Sequence, residues 1–177
     1  IYDKLGIKVN ISIINDATQS SNALISGSLD AAGYTINRTA FLSKKFADAG
    51  VDVIMPYISN FSNGGDGIIA KSTISSVEDL VGAKIGVPQF SEAHSLVVWF
   101  VNQSDLSDED KNTIINNLVY FATPDEAAKA FFAGQIDVAA TWEPYLTQAQ
   151  NMSDAHILFS TASSSSLIMD GILFNKN

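Results

Sequence analysis

The stretch AGQIDVAATWEPYL, residues 133–146, carries a large aromatic and a carboxylate, Trp142 and Glu143, at the end of the apolar run 136–140. Trp142 either offers a flat apolar wall to a ligand or fills a core. Glu143 either accepts from a donor-rich or cationic group or simply places a favourable charge in the first turn of the next helix. Ser91 and His94 open a second such unit, SEAH after GVPQF. Helix N-terminal amides plus a serine hydroxyl suit an anion, although Ser91 serves equally as a helix cap and His94 equally packs inside. Thr35 and Asn37 occupy the matching turn in the first half, again as ligand donors or as caps, and Arg38 beside them either meets an anion or stays solvated. Asp66 and Asp170 bind a ligand or cap turns. Phe90 and Tyr34 are further candidates for aromatic walls.

Catalytic chemistry has little to work with. The chain has no cysteine, which removes disulfides, thiolate zinc sites and cysteine nucleophiles. His94 and His156 are far apart in sequence, and no metal-ligand spacing such as HExxH occurs. NGGDG (63–67) lacks the lysine and serine or threonine that a phosphate loop requires. We therefore expect no catalytic residues, no metal and no cofactor. The net charge of -9 argues against nucleic acid, whose phosphates need a basic face. The apolar runs SLVVWFV and LIMDGILF are too short to span a bilayer, and no signal peptide is visible.

The elements that position these residues are legible from periodicity and punctuation. Val9, Ile11 and Ile13 alternate with polar residues as a half-buried strand does. Asp16, with Gln19 three residues on, opens a helix that Gly27 stops. SLDAAGYT, VDVIMPYIS, IIAKS, KIGV, LVYFA, IDVAA, HILFS and LIMDGILF read as strands, with Pro56 marking an edge or bend. TPDEAAKAFFAG is a helix with Thr123 as cap, Pro124 at its first position, Glu126 closing a capping box and Gly134 beyond its end. Strands alternating with helices predict an α/β protein with mostly parallel sheets, whose ligands bind outside the carboxyl ends of the strands. NALISGSLDAAGYT (22–35) also echoes KAFFAGQIDVAATW (129–142), a helix–glycine–strand unit used twice. The repeat reads either as two equivalent lobes whose loops face one cleft or as a generic unit.

The blocks SVEDLVGAKIGV before SEAH, AGQIDVAATWEP, and SGSLDAAGYT resemble the substrate-binding proteins of ABC importers in the taurine, alkanesulfonate and nitrate group, thiamine-precursor-binding relatives included. The resemblance covers nearly the whole chain. It implies a type II periplasmic-binding-protein-like fold: lobe one over 1–71 plus 167–177, lobe two over 72–166, with crossings near 67–71 and 167–173. It implies segments before Ile1 and after Asn177, so that the chain is a trimmed piece with lobe one incomplete. It implies an extracytoplasmic monomer, periplasmic or a cell-surface lipoprotein, which delivers a small molecule to an ABC permease. The ligand set would be Thr35, Asn37, Asp66, Phe90, Ser91, His94, Trp142, Glu143 and Asp170. A zwitterion such as taurine would lay its acid on the helix amides and its amine on the carboxylates, and an aminopyrimidine would suit the carboxylates and Trp142. Bare nitrate fits less well, since no lysine stands at these loops. The alternatives on the same fold are a ligand-sensing domain of a membrane receptor and an enzyme like that of thiamine-pyrimidine synthesis.

Overall fold

Helices and strands alternate along a computed structural model that describes residues 2–14 and 16–176, leaving Ile1, Asn15 and Asn177 of the expected first lobe outside the described residues. The first sheet contains β1 (Ala31–Thr35), β2 (Val53–Ile54), β3 (Ile58–Phe61) and β9 (Met169–Asn175). The second is five-stranded, in the order β6 (Val119–Phe121), β5 (Ile85–Pro88), β7 (Val138–Trp142), β4 (Asp66–Lys71), β8 (Ala155–Ser160). The expected α/β class, two sheets flanked by helices, is the one observed. In each sheet all strands but one run the same way. The reversed strands are β9, antiparallel to β1, β2 and β3, and β4, antiparallel to β7 and β8. β5 runs parallel to β6 and β7.

The two reversed strands are the ones that follow the chain's passages between sheets. The chain leaves the first sheet after Phe61 and enters the second at Asp66, then leaves after Ser160 and returns at Met169. The passages thus fall at 62–65 and 161–168, earlier than the sequence suggests, and the strand Asp66–Lys71, expected with lobe one, is hydrogen-bonded into the second sheet. Buried Thr161 ties the passages side by side. Its Oγ1 accepts from Gly64 N at 3.0 Å, donates to the Asp66 carbonyl at 3.1 Å and lies 3.0 Å from Ser62 Oγ.

The central strands of the second sheet are buried on both faces, and their residues show why. Ile68 and Ala70 of β4, with Val138 and Ala140 of β7, face a core completed by α3 (Glu92–Asn102) and α4 (Asp108–Asn116). Ile69 and Ala139, one residue out of phase, face the core under α5 (Pro124–Phe132) and α6 (Tyr145–Gln150). This is the two-residue period of a strand applied to two hydrophobic layers. The first sheet has a smaller core, Leu24 of α1 (Ala17–Ile25), Tyr34, Phe46 of α2 (Ile36–Asp48) and Leu173. Each large apolar side chain so buried contributes about 1.5–3 kcal/mol.

Two strand expectations are corrected. Residues 7–14 form no strand, and Ile11 and Ile13 are 86% and 88% exposed. Their alternation is amphipathic, but a strand needs a neighbour, and among the described residues no strand takes that role. VDVIMPYIS is two strands rather than one, interrupted at 55–57 around Pro56, which cannot donate to a ladder. No helix among the described residues is long and apolar enough to cross a membrane.

Candidate cleft between the two sheets

α2 follows β1 in the first sheet and α3 follows β5 in the second, and the first turns of these two helices meet. Each starts on a residue whose extended backbone and hydroxyl suit a cap: Thr35 Oγ1 accepts from Arg38 N at 3.0 Å, and Ser91 Oγ accepts from His94 N at 3.1 Å. Both are buried, so both cap their helices, and Ser91 also donates to the Pro88 carbonyl at 2.6 Å. Between the helices Arg38 Nη2 donates to Glu92, 3.2 Å from Oε2 and 3.5 Å from Oε1. Asn37 lines a small cavity of about 40 Å³ at the same junction with Ser95, Leu96, Trp99, Leu167 and Ile168.

An aromatic group covers the adjoining face. Phe41 of α2 stacks on His94 of α3 with centroids 5.6 Å apart, and Phe90 lies 5.8 Å from Phe41. Tyr120 meets His94 edge-on at 5.8 Å. Phe90 is half exposed and holds a left-handed backbone, φ 56°, which costs a non-glycine residue of order 1 kcal/mol or more. Its amide donates to His94 Nδ1 at 3.2 Å. Burial pushes the His94 imidazole below its ordinary range, which favours the neutral ring stacked on Phe41.

Carboxylates stand behind the pair. Asp66 is raised from the ordinary range, first by burial; a hydrogen bond from Ser62 opposes this, and the charges of Glu92 and Asp170 push it further up. Asp170 stands opposite Thr35 in the β1–β9 ladder and accepts from Asn60 Nδ2 at 3.4 Å. Trp142 pairs opposite Asp66 on β4, yet its indole N–H donates to Asp125 at 3.0 Å. Glu143 is exposed and accepts from the amide and hydroxyl of Thr147 at 3.1 and 2.9 Å, the role of a helix-start acceptor.

Of the sequence-named residues, then, Thr35, Asn37, Phe90, Ser91 and His94 gather at the α2–α3 junction, Asp66 lies within reach of the Asp170 charge, and Trp142 and Glu143 have local partners. Glu92, Phe41 and Tyr120 were missed. Glu92 reads in sequence only as a favourable first-turn charge, while Phe41, three residues after Arg38 on one helix face, carried a usable signal. Among the described residues no group of histidines and carboxylates could hold a metal ion.

The family model described as NMT1/THI5 like matches residues 2–166. An aliphatic sulfonates-binding protein of Escherichia coli (strain K12) is 29% identical over 91 residues, 51% of this chain and 27% of that protein. The crystal structure of the periplasmic aliphatic sulphonate binding protein SsuA from Escherichia coli superposes with a TM-score of 0.76 at 22% identity, covering 98% of this chain and 57% of that one. The alkanesulfonate-binding protein SsuA from Xanthomonas axonopodis pv. citri bound to MOPS gives 0.66 at 24% identity, over 96% of this chain and 56% of that one. The chain therefore spans little more than half the length of these structures, and the type II periplasmic-binding-protein fold expected from the sequence is the fold they share with it. With the family model covering all but the chain's ends, this protein belongs to the NMT1/THI5-like family.

Proposed function

We propose that the chain is the ligand-binding part of an extracytoplasmic solute-binding protein that captures a small organic anion, a sulfonate above all, between its two sheets and delivers it to the permease of an ABC importer. The observation that carries this is the meeting of two helix starts from different sheets, bridged by Arg38 and Glu92 and flanked by exposed aromatics. Amides and a guanidinium supply what an oxyanion needs, and Phe41, Phe90 and Tyr120 supply a wall for an organic chain. On this reading Thr35, Asn37, Asp66, Phe90, Ser91, His94 and Asp170 are the candidate contacts at that position, and Trp142 and Glu143 are the further candidates. The names of the sulfonate-binding relatives support the ligand class and the extracytoplasmic location. The lobes that close are the two sheets with their helices, and the mechanism is capture: a ligand touching both lobes favours the closed arrangement by its differential affinity. Such a protein works as a monomer and catalyses nothing.

A thermal-shift screen against taurine, alkanesulfonates, aminopyrimidines, nitrate and simple amines tests this reading. A ligand that binds only the native state stabilises it by about 2.7 kcal/mol at ~100 times its dissociation constant. A sulfonate should raise the melting temperature, and Phe90→Ala should abolish the shift while leaving basal melting in place. Absence of a shift from any sulfonate, with a cooperative melt, would contradict the ligand class.

A further inference from the structure

The Arg38–Glu92 pair has the geometry of a stand-in rather than of a finished ion pair. A matched arginine–carboxylate pair uses two guanidinium nitrogens on two oxygens. Here a single nitrogen, Nη2, reaches both oxygens of Glu92, at 3.2 and 3.5 Å. Arg38 Nε is buried and has no hydrogen-bond partner among the described residues. An unmet buried donor on a charged group is costly, so the site favours an acceptor that fills it. The Arg38 side chain keeps 24% exposure, enough for a small molecule to reach it, whereas the Glu92 side chain keeps 10%. Glu92 also lies where its charge acts on Asp66, together with that of Asp170. One guanidinium therefore serves a neighbourhood with three carboxylates.

We propose that Arg38 holds the acid group of the ligand and that Glu92 is a placeholder which the ligand displaces from Arg38 and then engages through its own cation. This rests on the ligand-binding reading above and narrows it to short zwitterions, an ammonium at one end and a sulfonate or carboxylate at the other. A tetrahedral sulfonate or a planar carboxylate that takes the place of Glu92 accepts from Nη2 and, once the pair has opened, from Nε. Released from Arg38, the Glu92 carboxylate loses its countercharge while its own charge still acts on Asp66, and an ammonium there offsets it. A simple alkanesulfonate displaces Glu92 without offering it a partner, and so binds less well.

Calorimetric titration of the full chain with taurine, β-alanine, ethanesulfonate and ethylamine tests this, in the wild type and in Arg38→Gln, Arg38→Lys and Glu92→Gln. The wild type should prefer a zwitterion to ethanesulfonate. R38Q should lose roughly 30-fold or more in affinity, the loss that follows from removing one partner of a buried charge pair. R38K, which keeps the charge but not the fork, should recover only part of it. E92Q should bind ethanesulfonate more tightly and the zwitterion less, reversing or levelling the preference, an outcome that a purely structural salt bridge does not produce. If the wild type binds a zwitterion while R38Q and E92Q leave affinity and preference unchanged, the inference is wrong and the solute-binding reading stands. If the wild type prefers ethanesulfonate, the zwitterion is excluded and sulfonate capture stands alone. If it binds none of the four, the inference falls, and the alkanesulfonates of the thermal-shift screen decide the sulfonate reading separately. The tighter of taurine and β-alanine identifies the acid group.

Discussion

His94 and Asp66 are both shifted by burial, in opposite directions, and the two shifts act oppositely on stability. His94 has a folded-state pKa below the model-peptide value of 6.5, so the unfolded chain takes up a proton first and stability falls as pH drops below that value. Asp66 has a folded-state pKa above 3.8, so its charged form weighs on the folded state, and this cost sets in as pH rises from 3.8 through the folded value. Asp66→Asn removes the charge and keeps an acceptor for Ser62. It should melt higher than the wild type at neutral pH, with the difference vanishing below the ordinary aspartate range. A lower melting temperature at neutral pH would show that the charge is instead stabilised in place. Ser91 is a cap before it is anything else: its Oγ accepts from His94 N at 3.1 Å and donates to the Pro88 carbonyl at 2.6 Å. Ser91→Ala should cost about 1 kcal/mol, read as a lower midpoint in urea with an unchanged slope.

At the scale of elements, β4 is the member on which the second sheet turns, buried on both faces and paired with β7 and β8. A Cβ on Gly67 would stand 2.5 Å from the Phe159 carbonyl and 3.2 Å from Leu146 Cδ2. The carbonyl belongs to the β8 backbone and cannot swing aside, so Gly67→Ala must push β8 or α6 outward. We expect about 1–3 kcal/mol of destabilisation, seen as a drop in melting temperature of roughly 2–4 °C for each kcal/mol. Unchanged melting would mean that β8 gives way freely. The elements were largely legible in the sequence because their signals are local. Asp16, Thr35, Ser91 and Thr123 each accept from an amide three residues on, as their spacing implies. Glu126 reaches the amide of Ala122 at 3.2 Å, one residue before the cap, a small departure from the expected box. What failed was non-local. The alternation at Val9, Ile11 and Ile13 carries no information about whether a neighbouring strand exists. The meeting of Arg38 with Glu92 joins residues 54 apart, which no spacing rule reaches. Trp142 and Glu143, the most conspicuous pair in the sequence, are partly accounted for by Asp125 and Thr147.

For the whole molecule, the two reversed strands and the two passages beside Thr161 are where the proposed capture places its hinge. A pair of short, side-by-side connections allows rotation about one line and resists most other displacements, which is the behaviour of a hinge. The Arg38–Glu92 pair and the Phe41–His94 stack lie on the α2–α3 face where the sheets meet, so the proposed capture requires them to form when the faces approach and part when they separate. The absence of cysteine makes that motion directly measurable, because an introduced pair is labelled without background. Spin labels at Ser43→Cys on α2 and Asn102→Cys on α3 report the distance between the two helices by double electron–electron resonance. With saturating ligand from the thermal-shift screen, the account predicts that a broad distance distribution collapses to a single short distance. A distribution that stays the same while calorimetry shows the site filled would contradict capture between the two sheets.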